Sequence, residues 1–325
     1  MFQPGLDLVS AWSLAGRVTG VLPSCRCPEA KRRSLPLPAA FKGFRRRIIG
    51  GWEAKPHSRP YMAFLSITSD TGGSYCGGFL IRPYAVVSAA HCVAGKKNVK
   101  ISVTLGAHNI RKKEPSQQVF HIHHWVMHPK YSGDSHENDI MLLKLKPWAP
   151  LTEEVSQIPL ARHNQRVLPG TVCNVAGWGW TSVTQDMTSV LMEVDLEVQS
   201  EKVCEEAFRC SYLRQSMICA GDENGKKSTF RGDSGGPLVC DGKAHGIVSY
   251  GHKNHLFPKV FTKVSYFEPW ISQLCCLLLR FLATNISVFK LACVCSLLGN
   301  RVTRLMLLFQ KVYVTPSVVS PKPPQ

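Results

Sequence analysis

The chain has 325 residues, enough for about two ordinary domains at ~150 residues each. With 44% hydrophobic and 19% charged residues, it is neither a disordered nor a collagen-like polymer. Lys and Arg outnumber Asp and Glu by 39 to 22, and a net charge of +17 points first to an anionic partner: nucleic acid, an acidic membrane or a polysaccharide.

Residues 1–47 hold nine of the basic residues and two of the acidic ones, a local charge of +7. They are rich in Pro, Gly, Ser and Arg, follow no helical or strand period, and read as a flexible extension with no folded domain. No apolar run of ~7–15 residues stands near Met1, so a cleavable secretory signal is not evident. This conflicts with the 13 cysteines, which point to an oxidising compartment and whose odd number leaves a thiol over.

From Ile48 the texture changes to short apolar runs broken by Gly, Pro, Asn and Asp, as in all-β proteins. Strands are predicted over Tyr61–Ile67, Tyr84–Ala90, Val99–Leu105, Asp139–Leu145, Thr171–Gly177, Lys243–Tyr250 and Pro258–Lys263. Val190, Met192, Val194, Leu196 and Val198 alternate with Leu191, Glu193, Asp195, Glu197 and Gln199, the mark of a half-buried strand. One helix is predicted over Ser265–Gln273. Many short strands and one late helix imply barrels or a sandwich.

Residues 274–325 form an apolar and basic tail with six basic residues and no acidic ones. Leu274–Gly299 approaches the ~20 apolar residues that cross a bilayer. Arg280, Asn285 and Lys290 interrupt it, and a central charge costs roughly 2.5–3.5 kcal/mol. Membrane anchoring is therefore the second reading, behind a tail without a folded role. Residues 48–273 carry 24 basic and 20 acidic residues, only +4, so the net charge sits mostly in the two ends and a nucleic-acid partner loses support.

Three segments carry the chemistry. Ala89-Ala90-His91-Cys92 closes an apolar strand, Asn138 to Leu143 opens another, and Gly232-Asp233-Ser234-Gly235-Gly236-Pro237 is a glycine-rich turn holding a serine. A serine hydroxyl needs a base to take its proton, and an imidazole base needs a carboxylate to fix its tautomer. Glycines beside Ser234 let the N–H groups of Gly232 and Ser234 point together at a developing oxyanion, worth about 10²–10³ in rate per donor. Taken singly, each segment also fits a plain structural role. Their joint occurrence, in the order His, Asp, Ser, points to nucleophilic catalysis.

These residues make the sequence resemble the chymotrypsin-like serine proteases, within them the granule branch of granzymes, cathepsin G, mast-cell chymases and duodenase. The resemblance runs from Ile48-Ile49-Gly50-Gly51 through Glu53 to Ala63, Val175-Ala176-Gly177-Trp178-Gly179 and Gly246 to Gly251, and covers residues 48–273. Neither end takes part. It implies two six-stranded antiparallel barrels with a C-terminal helix, the active site lying in the cleft between them. His91 would be the general base and then acid, Asp139 its orienting carboxylate, Ser234 the nucleophile, and Ser249 a support for Asp139. The implied activity is a serine endopeptidase, secreted or stored in a secretory granule, that acts on protein substrates without a cofactor or a metal. A catalytically silent binding protein on the same scaffold is the alternative from another class.

The resemblance also implies disulfides Cys76–Cys92, Cys173–Cys240 and Cys204–Cys219, each adding about 2–4 kcal/mol. Cys210 is left over, as a buried thiol or an intermolecular bridge. Phe230 stands where many relatives outside the granule branch have a cysteine, so the specificity-pocket wall is expected to be more adaptable. Relatives are activated when the amine freed at the position of Ile48 pairs with the carboxylate matching Asp233. Granule relatives carry an acidic dipeptide before that point. Arg45-Arg46-Arg47 stands there instead, which a trypsin-like enzyme would cut unless the segment is an artefact of the gene structure.

The resemblance implies that substrate choice depends on Ser228 at the pocket base, on Ser249, Tyr250 and Gly251 along one wall, and on Lys259 on the strand closing the bottom. Ser228 excludes the acidic base of trypsin-like relatives. A lysine in a semi-buried pocket is left unpaired by an apolar substrate and paired by Asp or Glu, which predicts cleavage after acidic residues. If Lys259 bends outward to water, the pocket is instead apolar and chymase-like. His121, His123, His124 and His128 read as surface histidines on a strand, without metal-ligand spacing. Lys96, Lys97, Lys100 and Arg111-Lys112-Lys113 are candidates to bind granule proteoglycan, with solvated loops as the alternative.

Overall fold

A computed structural model describes residues 50–180, 188–251 and 256–280. The N-terminal extension, Ile48 and the tail beyond Arg280 lie outside these residues, as does most of Leu274–Gly299.

The edge strand β1 (Trp52–Glu53) is followed by β2 (Met62–Ser69), β3 (Gly72–Arg82), β4 (Ala85–Ser88), β5 (Lys100–Leu105), β6 (Gln118–Ile122), β7 (His124–Met127) and β8 (Met141–Lys144). Strands β2 to β8 pair antiparallel in the order β6-β5-β2-β3-β4-β8-β7. Only His123 separates β6 from β7, so these two are one strand broken at a single residue, and it closes a six-stranded ring. The ring is filled by β-branched and large apolar side chains, among them Leu65, Ile67, Phe79, Val87, Val103 and Leu142.

The second half comprises β9 (Val172–Gly177), β10 (Met192–Val198), α1 (Glu201–Phe208), β11 (Met217–Gly221), β12 (Pro237–Cys240), β13 (Lys243–Gly251), β14 (Lys259–Lys263) and α2 (Val264–Arg280). Its strands run β10-β11-β14-β13-β12-β9, and β9 pairs back to β10, which closes a second barrel of six. Strand β1 adds to the outside of β10. In β10 the predicted alternation appears as buried Met192, Val194, Leu196 and Val198. Glu193, on the opposite phase, is buried as well, because it accepts from Trp52 Nε1 at 2.9 Å and pairs with Arg59 at 2.7 Å.

Helix α2 differs from its prediction. It continues to Arg280, past the Gln273 boundary, because Leu274, Cys275 and Leu278 prolong its apolar stripe. That stripe joins the core of the first barrel, together with Phe267 and Ile271, so the last helix clamps the half that precedes it in sequence. The first residues of the tail therefore belong to the fold. Among the described residues no helix is long and apolar enough to cross a membrane.

Disulfide Cys76–Cys92 ties β3 to the turn that carries His91, Cys173–Cys240 ties β9 to β12, and Cys204–Cys219 ties α1 to β11. Cys210 lies in the short turn Arg209–Ser211 and is exposed, against the expectation of a buried thiol. His121, His123 and His124 are exposed. His128 is half-buried rather than fully at the surface: it sits against Phe267 and Trp270 of α2, with ring centroids at 5.3 and 5.1 Å, and burial pushes its imidazole down to about 4.

Candidate active site

His91 lies in a single helical turn, Ala90–Cys92, after β4; Asp139 precedes β8; Ser234 occupies the turn before β12; and Ser249 is on β13. Both barrels thus supply the site. His91 Nδ1 lies 2.7 Å from Asp139 Oδ2, and the His91 backbone N–H donates to Asp139 Oδ1 at 2.9 Å. Ser249 Oγ donates to Asp139 Oδ2 at 2.5 Å. Asp139 is fully buried. Burial alone would raise its carboxyl, but the adjacent His91 and these three hydrogen bonds outweigh that and hold it below the usual carboxylate range. The carboxylate is thus ionised, and it fixes the proton of the imidazole on Nδ1, leaving Nε2 free to act as a base.

Ser234 is half-buried, and the turn around it is held by backbone hydrogen bonds. Gly77 N–H of β3 donates to the Ser234 carbonyl at 2.7 Å, Gly235 N–H to Val248 at 2.8 Å, and Gly236 N–H to Asp233 at 3.0 Å. The first of these ties the nucleophile's turn to the barrel that carries His91. Gly232 has φ +99°, a conformation that L side chains rarely adopt. Neither its N–H nor that of Ser234 donates to another described residue, so both are available to an oxyanion.

Asp233 is fully buried; Phe230 N–H and Gly179 N–H each donate to it at 2.9 Å. Burial, only partly opposed by those two donors, pushes its carboxyl up to about 6. Among the described residues no Lys, Arg or His pairs with it. Ile48, the expected source of a pairing amine, is outside the described residues.

Ser228 is buried, and its hydroxyl donates to the Leu256 carbonyl at 2.9 Å. Gly251 faces Lys259 across the β13–β14 ladder. A Cβ added to Gly251 would clash with Lys259 Cδ and come within 2.9 Å of its Nζ, so the lysine side chain lies against the glycine. Burial lowers the pKa of that ammonium, and no described carboxylate pairs with it.

The sequence reading missed His136. Its ring is 6.3 Å from that of His91 and 5.0 Å from that of Tyr250, in a cleft also lined by Asp134, Phe208 and Ser211. Burial holds its imidazole below the ordinary value, against the pull of Asp139. Its place three residues before Asp139 was the only signal in the sequence. Cys76 and Cys92 lie close to His91, but their sulfurs are bonded to each other, so the cluster offers no thiolate to a metal.

Two closed β-barrels, the first holding an imidazole against a buried carboxylate and the second carrying a glycine-rich serine turn tied to the first by the Gly77–Ser234 hydrogen bond, have the architecture of a serine protease. The trypsin family pattern matches residues 48–271, and the chain belongs to that family. It is 51% identical to duodenase-1 of Bos taurus over 225 residues, 69% of this chain and 88% of that protein. It is 50% identical to granzyme B(G,H) of Mus musculus, covering 70% of this chain and 90% of the relative, and 48% identical to cathepsin G of Homo sapiens, covering 69% and 86%. A solved structure described as "Structure of GrC" aligns with TM-score 0.66 at 46% identity, over 70% of this chain and 98% of that one. The chain is a trypsin-family serine protease of the granule branch.

Proposed function

We propose that this protease cleaves after Asp or Glu. Ser234 attacks the scissile carbonyl while His91 takes its proton, Asp139 steadies the imidazolium, and the N–H groups of Gly232 and Ser234 bind the oxyanion. His91 then returns the proton to the leaving amine, and water releases the acyl-enzyme by the same route. What supports the acidic preference is the Lys259 ammonium lying against Gly251 without a described counter-ion, at the position expected to close the specificity pocket. An apolar substrate would leave that charge half-buried and unpaired, whereas a carboxylate would satisfy it.

Charge-assisted hydrogen bonds are worth about 1.5–3 kcal/mol, so Lys259→Gly should lower kcat/KM for an Asp-nitroanilide about 10- to 10²-fold. Nitroanilides with Asp, Phe or Lys before the cut measure this. An acidic preference that survived Lys259→Gly would remove its proposed cause, and a wild-type preference for Phe would favour the chymase-like alternative.

Several readings go with this function. The catalytic domain spans residues 48–273 together with the end of α2, and the chain is a zymogen until it is cut before Ile48. The mature enzyme is secreted or granule-stored. Lys97, Lys100 and Arg111-Lys112-Lys113 are proposed contacts to granule proteoglycan. Lys96 is less available, since its ammonium already donates to Ser74 Oγ at 2.6 Å and to the Cys92 carbonyl at 2.7 Å.

A further inference from the structure

We propose that the Cys76–Cys92 disulfide covers a latent zinc site: once the bond is reduced, the two thiolates and His91 bind Zn²⁺, which takes the general base away from Ser234. Cys92 follows His91 in the chain, and Cys76 precedes Gly77, whose N–H holds the Ser234 carbonyl. The two sulfurs and a ring nitrogen of His91 all lie within 4.8 Å of one another. In the oxidised chain the sulfurs are bonded to each other and neither can ligate.

The donor set selects the metal. Two thiolates and an imidazole suit zinc, with a fourth position left for water, and disfavour the oxygen-seeking Mg²⁺ and Ca²⁺. Zn–S bonds of about 2.3 Å and a Zn–N bond of about 2.0 Å set tetrahedral ligands about 3.5–3.8 Å apart. The sulfurs must therefore part, as reduction lets them, while the imidazole closes in by roughly 1 Å. Asp139 already supplies the outer partner that a zinc-bound histidine uses. His91 Nδ1 lies 2.7 Å from Asp139 Oδ2 and gives its proton there, so Nε2 carries the free lone pair. That lone pair is also the one that accepts the Ser234 proton, so metal binding and catalysis exclude each other.

A phosphine supplies the two electrons. Water gives its oxygen to form the phosphine oxide and its two hydrogens to the two thiols, and the thiol protons leave when zinc binds. Both cysteines are buried, so reduction proceeds through local opening of the His91 turn. The turn has other ties that bring it back. Ser88 Oγ donates to the Gly77 carbonyl at 2.8 Å, His91 N–H to Asp139 at 2.9 Å, and Val93 N–H to the Ala90 carbonyl at 3.1 Å. Reduced, metal-free enzyme is therefore expected to remain active.

The inference rests on His91 as the base and not on Lys259. Activated enzyme is reduced with a phosphine, freed of it, and checked by alkylation and peptide mass spectrometry for open Cys76 and Cys92. It is then assayed on whichever nitroanilide it cuts fastest, so failure of the acidic-pocket reading does not decide the result. Zinc at ten times its dissociation constant should leave the reduced enzyme about a tenth of its turnover, restored by a chelator, and should spare the oxidised enzyme. A chain with both Cys76→Ala and Cys92→Ala, which keeps every other cysteine, should not respond after the same treatment. Cobalt in place of zinc gives a readout that needs neither activity nor that variant. Its thiolate charge-transfer absorption should appear on reduction, and Asp139→Asn should weaken its binding about 10- to 10²-fold. The proposal is overturned if reduced and oxidised enzyme respond alike to zinc, if the double variant stays sensitive, if reduction alone abolishes activity, or if Asp139→Asn binds cobalt as tightly as wild type.

Discussion

Ser234→Ala should lower kcat by about 10⁶, leaving ~10³–10⁴ over the uncatalysed rate from substrate positioning and oxyanion binding alone. The loss is expected to be this large because the hydroxyl is the only atom that forms the covalent intermediate. The fold should be indifferent to the change. What holds the turn is the Ser234 carbonyl accepting from Gly77 N–H, with Gly235 and Gly236 N–H groups bonding elsewhere, and alanine keeps all of these. Stability should change by less than ~0.5 kcal/mol, as for other substitutions that remove no buried partner. Thermal melts and turnover of one nitroanilide, measured on the same preparation, separate the two effects. Full activity in the variant would mean that another residue is the nucleophile.

The second large effect concerns Asp233. In the uncut chain its buried carboxyl titrates at about 6, above the ordinary 3.8. A group whose folded pKa exceeds its unfolded one favours the folded state most in acid. Its contribution is therefore complete below about pH 4, is lost as pH rises to about 6, and stays lost above that. The loss amounts to ~3 kcal/mol for a rise of this size. Asp139 and Glu114 are shifted the other way and become destabilising in acid, so the comparison must be made between Asp233 and Asp233→Asn chains rather than on one pH curve. Uncut protein carrying Ser234→Ala, which cannot digest itself, should show the Asp233-dependent fall in melting temperature between about pH 4 and pH 6. Cutting before Ile48 should abolish it, because the new amine pairs with the carboxylate. In the active background, cut Asp233→Asn should lack at least the ~10²–10³ contributed by one oxyanion donor. A cut Asp233→Asn enzyme with full activity would show that the insertion is unnecessary.

Much of this architecture could be read from particular residues. The alternation from Met192 to Val198 marked β10, and the apolar runs ending at Ala90 and Leu145 marked the strands that deliver His91 and Asp139. Strand β3 was not legible, because Gly72, Gly73, Gly77 and Gly78 imitate a loop although Gly77 brings the backbone within reach of Ser234. The eight-residue α1 is too short to show a period. Its one readable sign was Ser200 before Glu201, and the Ser200 hydroxyl indeed caps Val203 N–H at 3.4 Å. The full length of α2 was not legible because Leu274 and Leu278 lie beyond the family pattern that ends at residue 271. The approach of His136 to the rings of His91 and Tyr250 depends on contacts between segments distant in sequence, which no local pattern encodes.

Ser234, activated by His91 and Asp139, is expected to be a working nucleophile once the chain is cut before Ile48. This is tested most directly by treating cut and uncut protein with a fluorophosphonate and locating the adduct by peptide mass spectrometry. One adduct, on Ser234, is expected in cut protein and little in uncut protein. A cut protein that folds but leaves Ser234 unlabelled would contradict the claim and would identify a binding protein on a protease scaffold.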